Sequence, residues 1–104
     1  LNAWADAWSR KDIRAYLGFY GPGFVPPNGY SRAAWEIERE ARIVDKPGKI
    51  QVSLDDPQVS VEGDRATARF RQHYRAAGLN NSTNKTIVFV RHNGKWQIQS
   101  ETAR

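Results

Sequence analysis

The chain has 104 residues, a formal net charge of +5 and no cysteine. This length provides for one hydrophobic core, and without cysteine the chain has no disulfide, thiol nucleophile or thiolate metal site. No stretch approaches the roughly 18 consecutive apolar residues of a membrane span. We therefore predict a single domain over residues 1–104 with no span of its own. Because the chain lacks methionine and opens at Leu1 in a helical pattern, we expect it to be part of a longer protein.

The first 45 residues predict three helices. Apolar residues recur at helical spacing from Leu1 to Trp8, which indicates a first helix over residues 1–10. Asp12 and Ser31 are suited to cap the second and third helices, since their side-chain oxygens can accept from free backbone N–H groups. Gly-Pro-Gly at 21–23 ends the second helix, and Pro-Gly at 47–48 ends the third. The predicted buried face of the third helix consists of Ala34, Ile37, Ala41 and Val44.

Beyond residue 49 the pattern alternates with the period of two that is typical of strands. Asp-Asp-Pro at 55–57 predicts a bulge within a long first strand, because proline cannot donate to a sheet ladder. We then predict a polar hairpin tip over 78–84 and a third strand over 86–91 that is covered on both faces. Asn93 and Gly94 are the strongest short hairpin signal in the chain. In the last strand, Trp96 and Ile98 are predicted to be core, while the opposite, outward face carries Lys95, Gln97, Gln99 and Glu101.

Helices followed by an antiparallel meander predict an α+β fold. In such a fold the N-terminal helices pack on a curved antiparallel sheet and leave a conical cavity. The second strand decides which side chains can enter that cavity, since neighbours alternate between faces. Phe70, Gln72 and Tyr74 share one face, and the other carries Arg69, Arg71, His73 and Arg75. Burying three arginines without partners is prohibitive, so the Phe70 face is predicted to point towards the helices.

These patterns resemble the nuclear transport factor 2-like superfamily, which includes SnoaL-like polyketide cyclases and ketosteroid isomerases. The matching segments are Trp4-x3-Trp8, Asp12-x3-Tyr16-x2-Phe19-Tyr20, Phe24, Arg32-x2-Trp35, Gly63-Asp64-x-Ala66, Phe70-x-Gln72-x-Tyr74 and Gly94-Lys95-Trp96-x-Ile98. More narrowly, the chain is similar to a domain appended to some bacterial L,D-transpeptidase-like and tetratricopeptide-containing envelope proteins. The segments that carry this likeness are Phe24-Val25-Pro26, Ser31-Arg32-x2-Trp35, Phe70-x-Gln72-x-Tyr74 and Lys85-Thr86. This resemblance implies an accessory domain outside the cytoplasm.

A pocket inside the cone would be lined by aromatic and polar side chains from the helices and the second strand. The candidates are Trp8, Tyr16, Trp35, Glu38, Arg42, Gln72 and Tyr74. A small apolar pocket with a few converging polar groups is the usual form of a ligand site. The alternative is an ordinary core, in which Gln72 bonds to backbone, Tyr74 packs, and Glu38 and Arg42 form a partly exposed ion pair.

Catalytic groups are scarce in this pattern. Enzymes of the superfamily place Asp, His or Tyr inside the cone for proton transfer. His73 shares the arginine face, His92 flanks the hairpin turn, Asp12 is a cap, and Asp6 is predicted to face solvent. The sequence therefore predicts no acid–base pair, no catalytic residue, no metal site and no cofactor.

Our hypothesis from the sequence is a non-catalytic ligand-binding or interaction module of a bacterial cell-envelope protein, located in the periplasm or cell envelope. The expected partner is a small molecule, a cell-wall fragment or a neighbouring domain. The alternative is a SnoaL-like or ketosteroid isomerase-like enzyme acting on a small hydrophobic substrate in the cone. The arginine row lacks the interleaved aromatics that stack on bases, so no nucleic acid is expected. A homodimer through this outer sheet face is a further hypothesis.

Overall fold

The helices begin at the polar residues that the sequence supplies as caps. A computed structural model describes residues 1–103, with α1 at Asn2–Ser9, α2 at Ile13–Gly18 and α3 at Arg32–Ile43. The Asp12 carboxylate accepts from the Ala15 N–H at 3.2 Å, and the Ser31 hydroxyl accepts from the Ala34 N–H at 3.1 Å. Each bond satisfies an N–H group that the first helical turn leaves free. Both predicted caps are confirmed.

A four-stranded antiparallel sheet follows the helices, in the spatial order β1-β2-β3-β4. Its strands are β1 at Gln51–Glu62, β2 at Arg65–Ala76, β3 at Leu79–His92 and β4 at Lys95–Ala103. The register of β1 against β2 shifts between Asp55 and Gln58, where the sequence predicts a bulge. Three helices on a curved antiparallel sheet form the nuclear transport factor 2-like α+β fold. The predicted fold class is confirmed.

The β2–β3 hairpin is longer than predicted. Gly78 lies in the turn as predicted, but residues 79–84 belong to β3, because Ala76 pairs with Leu79 and the ladder then continues without interruption. The polar side chains of this part of β3 instead bond across to β2. Asn84 accepts from Arg71 at 3.0 Å, and Asn80 accepts from Arg75 at 3.2 Å. Asn80, Ser82 and Asn84 are thus tolerated in a strand because their polar groups have partners on the outer face.

The core lies between α1, α2, α3 and one face of the sheet. Trp4 is fully buried, and its ring contacts Trp8 and Phe70 at centroid distances of 5.5 and 6.1 Å. The predicted parity of β2 is confirmed, since Phe70 and Gln72 are buried while the arginines are exposed. Aromatic edges and faces therefore fill the cone around α1.

The predicted buried face of α3 is wrong. Trp35 and Ile43 are the buried residues of this helix, whereas the Ile37 side chain is 72% exposed. Ala34, Ala41 and Val44 are exposed as well. The helix is rotated because the large indole of Trp35 buries more area than the smaller side chains on the predicted face would.

Two predictions for the last two strands are also wrong. Trp96 is 38% exposed and lies beneath the Arg91 guanidinium, 5.3 Å from the ring centroid, beyond the part of the sheet that the helices cover. The outer-face valines of β3, Val88 and Val90, are half-buried and lie outside the core cluster. Within residues 1–103 the core adjoins one face of β3, so the apolar pattern on both faces does not indicate two covering layers.

Candidate functional site

A small cavity opens between α2, α3 and the inner face of β3 and β4. Its volume is about 130 Å³, and its lining is aromatic on one side and charged on the other. The lining residues are Trp8, Tyr16, Phe24, Pro27, Trp35, Glu38, Arg39, Lys85 and Glu101. We call this space the cone cavity.

The floor of the cone cavity holds a buried ion pair. Lys85 Nζ lies 2.6 Å from Glu101 Oε2, and the two side chains are only 9% and 19% exposed. The ammonium group also lies 5.6 Å from the Trp4 ring centroid and 5.4 Å from that of Trp8. The ring faces and the carboxylate together replace the water that the ammonium loses on burial.

A chain of hydroxyl groups meets the same carboxylate. The Trp4 indole Nε1 donates to the Tyr20 hydroxyl at 3.0 Å, and that hydroxyl donates to Glu101 Oε1 at 2.5 Å. The Tyr16 and Tyr20 hydroxyl oxygens are 3.1 Å apart. Each oxygen of Glu101 therefore has a partner, Tyr20 at one and Lys85 at the other.

Burial keeps both phenols protonated. Loss of water raises the pKa of Tyr16 to about 12, and it raises the pKa of Tyr20 well above its ordinary value, with the Glu101 charge adding to the effect. A phenolate beside a carboxylate in a dry site would lack solvation. Near neutral pH these two side chains are consequently neutral hydrogen-bonding groups.

Arg39 stands at the mouth of the cone cavity. Its guanidinium carbon lies 5.2 Å from the Trp8 ring centroid and 5.4 Å from that of Tyr16. Its Nε is buried and has no hydrogen-bond partner among the described residues. Among residues 1–103 no carboxylate forms an ion pair with Arg39, so its positive charge meets only the aromatic faces and the more distant Glu101 carboxylate.

A second, open space adjoins the cone cavity and shares Trp8 and Arg39 with it. Its volume is about 280 Å³. The lining residues are Trp8, Arg39, Arg42, Lys46, Gln72, Tyr74, Leu79, Asn81 and Thr83. We call this space the basic groove, because three cations and no carboxylate line it.

The predicted pocket residues divide between these two spaces. Those that line the cone cavity are Trp8, Tyr16, Trp35 and Glu38, and those that line the basic groove are Trp8, Arg42, Gln72 and Tyr74. Arg42 is exposed, and its Nε lies 3.7 Å from Glu38 Oε1, as expected for the i, i+4 pair. Gln72 Oε1 is buried and has no partner among residues 1–103. The backbone bond considered for it in an ordinary core is therefore not made by this oxygen.

Three central charged residues were not predicted. Glu101 was assigned to the outer face of the last strand, but β4 has a bulge at Gln99, so that Ile98 pairs with Phe89 while Glu101 pairs with Ile87. The extra residue reverses the alternation and turns Glu101 inwards. Lys85 belongs to a segment that the family resemblance includes, and Arg39 lies opposite the face of α3 that the sequence pattern predicts to be buried. No local sequence signal marks the bulge.

Glu101 adds to the cone cavity a carboxylate that the sequence pattern places on the outer face of the sheet, whereas Asp6 and His73 lie outside the cavity as predicted. Asp6 is exposed and pairs with Arg10 at 2.8 Å. His73 lies on the outer sheet face, where its ring nitrogens lie 2.7 Å from Ser82 Oγ and 3.2 Å from Asp55 Oδ2. Within residues 1–103 no helix has the length and apolar character needed to cross a bilayer.

Comparison with solved structures finds proteins of similar fold. The Bd1075 protein of Bdellovibrio bacteriovorus has a TM-score of 0.88 and 24% identity, over 98% of this chain and 36% of that one. A mutant of the helical cell shape determining protein Pgp2 from Campylobacter jejuni has a TM-score of 0.83 and 16% identity, over 95% of this chain and 36% of that one. The present chain thus spans about a third of the length of these two proteins.

A proposed ketosteroid isomerase from Shewanella frigidimarina has a TM-score of 0.78 and 13% identity, over 99% of this chain and 89% of that one. At such identities the likeness concerns the fold alone. No curated protein matches the sequence. The sequence profile described as the Cds6 C-terminal NTF2-like domain matches residues 1–102. The chain therefore belongs to the family of Cds6 C-terminal NTF2-like domains.

Proposed function

We propose that this domain is a non-catalytic binding module of a bacterial cell-envelope protein and that it binds a cell-wall fragment in the cone cavity. The observation that carries the proposal is the buried Lys85–Glu101 pair beneath two indole rings. A buried ion pair adds little net stability compared with apolar residues of the same volume. Its presence at the floor of a cavity is better accounted for by a polar ligand.

The lining of the cone cavity suits an amphipathic ligand. Trp8, Trp35 and Phe24 provide apolar walls, whereas Arg39 offers a positive charge that has no ion-pair partner among residues 1–103. Cell-wall fragments combine sugar rings, amide groups and carboxylates, which match these surfaces. Because the cone cavity is smaller than the ~300 Å³ of typical ligand sites, it would hold one group of the fragment while the rest lies outside.

The relatives support an envelope setting for this proposal. Pgp2 is named for determining helical cell shape, and its chain is much longer than the domain compared here. By analogy, the present domain would act beside another domain of its own protein in the periplasm or cell envelope. If the partner is a neighbouring domain, that domain would dock at the opening of the cone cavity.

Titration with soluble muropeptides tests the binding function, with tryptophan fluorescence as the signal because Trp8 and Trp35 line the cavity. The variant to compare is Lys85→Met with Glu101→Gln, which removes both charges and leaves neither ion unpaired. We expect its affinity to fall about tenfold or more, since charged hydrogen bonds contribute roughly 1.5–3 kcal/mol. Arg69→Gln on the outer sheet face is the matched control and should bind normally. No response across the set from a folded wild-type chain would refute the proposal.

A second candidate, a ketosteroid isomerase-like enzyme, is favoured by one observation. Two neutral phenols and a carboxylate meet in a dry site. The phenols are suited to donating to an oxyanion, and the carboxylate is suited to moving a proton. Against it, Lys85 and Tyr20 occupy both oxygens of Glu101, so neither oxygen is free to contact a substrate. Ultraviolet detection of double-bond migration in a β,γ-unsaturated ketosteroid tests this activity. Turnover that Tyr20→Phe abolishes would favour the enzyme over the binding module.

A further inference from the structure

The basic groove contains two buried polar groups that no described residue satisfies. Gln72 is only 7% exposed, and its Oε1 has no partner. The Nε of Arg39 is likewise buried without a partner. Leaving such groups unpaired is unfavourable, and native proteins rarely do so without a reason. One is an acceptor and the other a donor, and both residues line the same space.

The charged side chains that line the groove are all positive, and a carboxylate lies just outside it, where Glu38 Oε1 is 3.7 Å from Arg42 Nε. Arg42 and Lys46 line the groove together with Arg39, and the lining includes no acidic residue. The Lys46 segment is held in place because its carbonyl oxygen accepts from Lys11 Nζ. Three cations at one open groove favour an anion, and arginine side chains suit a planar carboxylate in particular.

A bare carboxylate would satisfy only half of this site. An ionised carboxylate only accepts hydrogen bonds, so it can pair with Arg39 but not with Gln72 Oε1, which needs a donor. An amide N–H next to a carboxylate supplies both. The aromatic rings of Trp8 and Tyr74, 5.5 Å apart between centroids, form an apolar wall for the adjoining side chain.

We propose that the basic groove is a subsite for the C-terminal end of an acylated peptide. The terminal carboxylate would pair with Arg39, Arg42 and Lys46, and the terminal amide N–H would donate to Gln72 Oε1. This inference rests on the proposed binding function and deepens it, since it names the part of the ligand that lies outside the cone cavity. Arg39 lines both the cone cavity and the basic groove, so it can contact the ligand where it passes from one space to the other.

Three small probes separate the two contacts. They are N-acetyl-alanyl-alanine, its C-terminal carboxamide, which lacks the charge, and N-acetyl-alanyl-lactate, in which an ester oxygen replaces the terminal N–H. Binding to the 104-residue chain is measured by NMR titration. We expect the carboxamide and the ester each to bind about tenfold more weakly than the acid, as loss of a charge-assisted or a buried hydrogen bond implies.

Substitutions in the basic groove show which residues cause the weaker binding of the carboxamide and the ester. Gln72→Leu should fold normally, since it replaces an unpaired buried acceptor by an apolar group, and it should bind the acid and the ester equally. Arg42→Gln with Lys46→Gln should reduce the preference for the acid over the carboxamide. Arg69→Gln, which changes the charge on the outer sheet face, should leave both preferences intact.

The outcomes distinguish the subsite from the binding function. Equal binding of all three probes to the wild-type chain, or preferences that survive both groove variants, would overturn the subsite. If the small acid fails to bind while whole muropeptides do, the subsite is overturned and the proposed function stands. If neither the small acid nor whole muropeptides bind, the subsite and the proposed function are both overturned.

Discussion

Burial determines how Tyr16 responds to pH. An exposed phenol in the unfolded chain has a pKa near 10, whereas in the folded domain loss of water raises the pKa of Tyr16 to about 12. The folded state therefore holds the proton more tightly than the unfolded state does. Stability from this group is fully present below pH 10 and is lost as the pH rises towards 12.

We predict that the free energy of unfolding falls between about pH 10 and pH 12, by roughly 2–3 kcal/mol from Tyr16 alone. Urea denaturation at a series of pH values measures this dependence. Tyr16→Phe removes one of the two buried ionisable phenols and should make the curve less steep over that range, with the remaining slope due to Tyr20. An identical slope in wild type and variant would show that Tyr16 is not the group responsible.

The four tryptophans differ in what they contribute. Trp4 is fully buried, whereas Trp96 lies beyond the helices and is covered on one face by Arg91. We predict that Trp4→Ala costs about 3–5 kcal/mol, and that Trp96→Ala costs about 1 kcal/mol through loss of the cation–π contact. Thermal melts of the two variants test this difference. Equal losses would contradict the observed exposure of Trp96.

At the scale of elements, α3 shows how one large side chain can set the orientation of a helix. The buried face follows Trp35 and Ile43, and Arg39 between them rests on aromatic rings. An arginine stem covers apolar surface while its charged end stays at the cavity. The isoleucine that the sequence pattern favours, Ile37, instead points to solvent.

The two isoleucines of α3 provide a matched test of this orientation. We predict that Ile43→Ala lowers the free energy of unfolding by about 2–5 kcal/mol, because it leaves a void in a closed core. Ile37→Ala should change it by less than about 0.5 kcal/mol. Chemical denaturation of both variants gives the comparison, and a larger loss at Ile37 would mean that the helix is rotated as the sequence pattern predicted.

At the scale of the whole molecule, the outer sheet face remains the predicted site of homodimer formation. Arg69, Arg71 and Arg75 project from it. Two such faces in contact would repel each other at low ionic strength, since the Debye length then exceeds the width of an interface. We predict a dimer that forms more readily as salt is raised from about 10 mM to 1 M. Light scattering that finds a monomer at high micromolar concentration throughout would exclude it.

Much of the fold could be predicted because it depends on local patterns. The caps at Asp12 and Ser31, the bulge after Asp55 and the alternation around Gln72 each follow from residues within a few positions of one another. Local hydrogen bonds, the absence of a proline N–H and the pleat of a strand are short-range effects. They suffice for the order of elements and for the face of β2.

The tertiary structure decided the chemistry of the site. Glu101 reaches the cavity through a bulge opposite β3, and it then meets Lys85 from the next strand and Tyr20 from beyond α2. These residues are far apart in sequence, and each alone has the polarity of a surface residue. Their burial becomes tolerable only when all partners are present, because a buried charge or hydroxyl requires its complement. Such mutual dependence cannot be detected in any one segment of the chain.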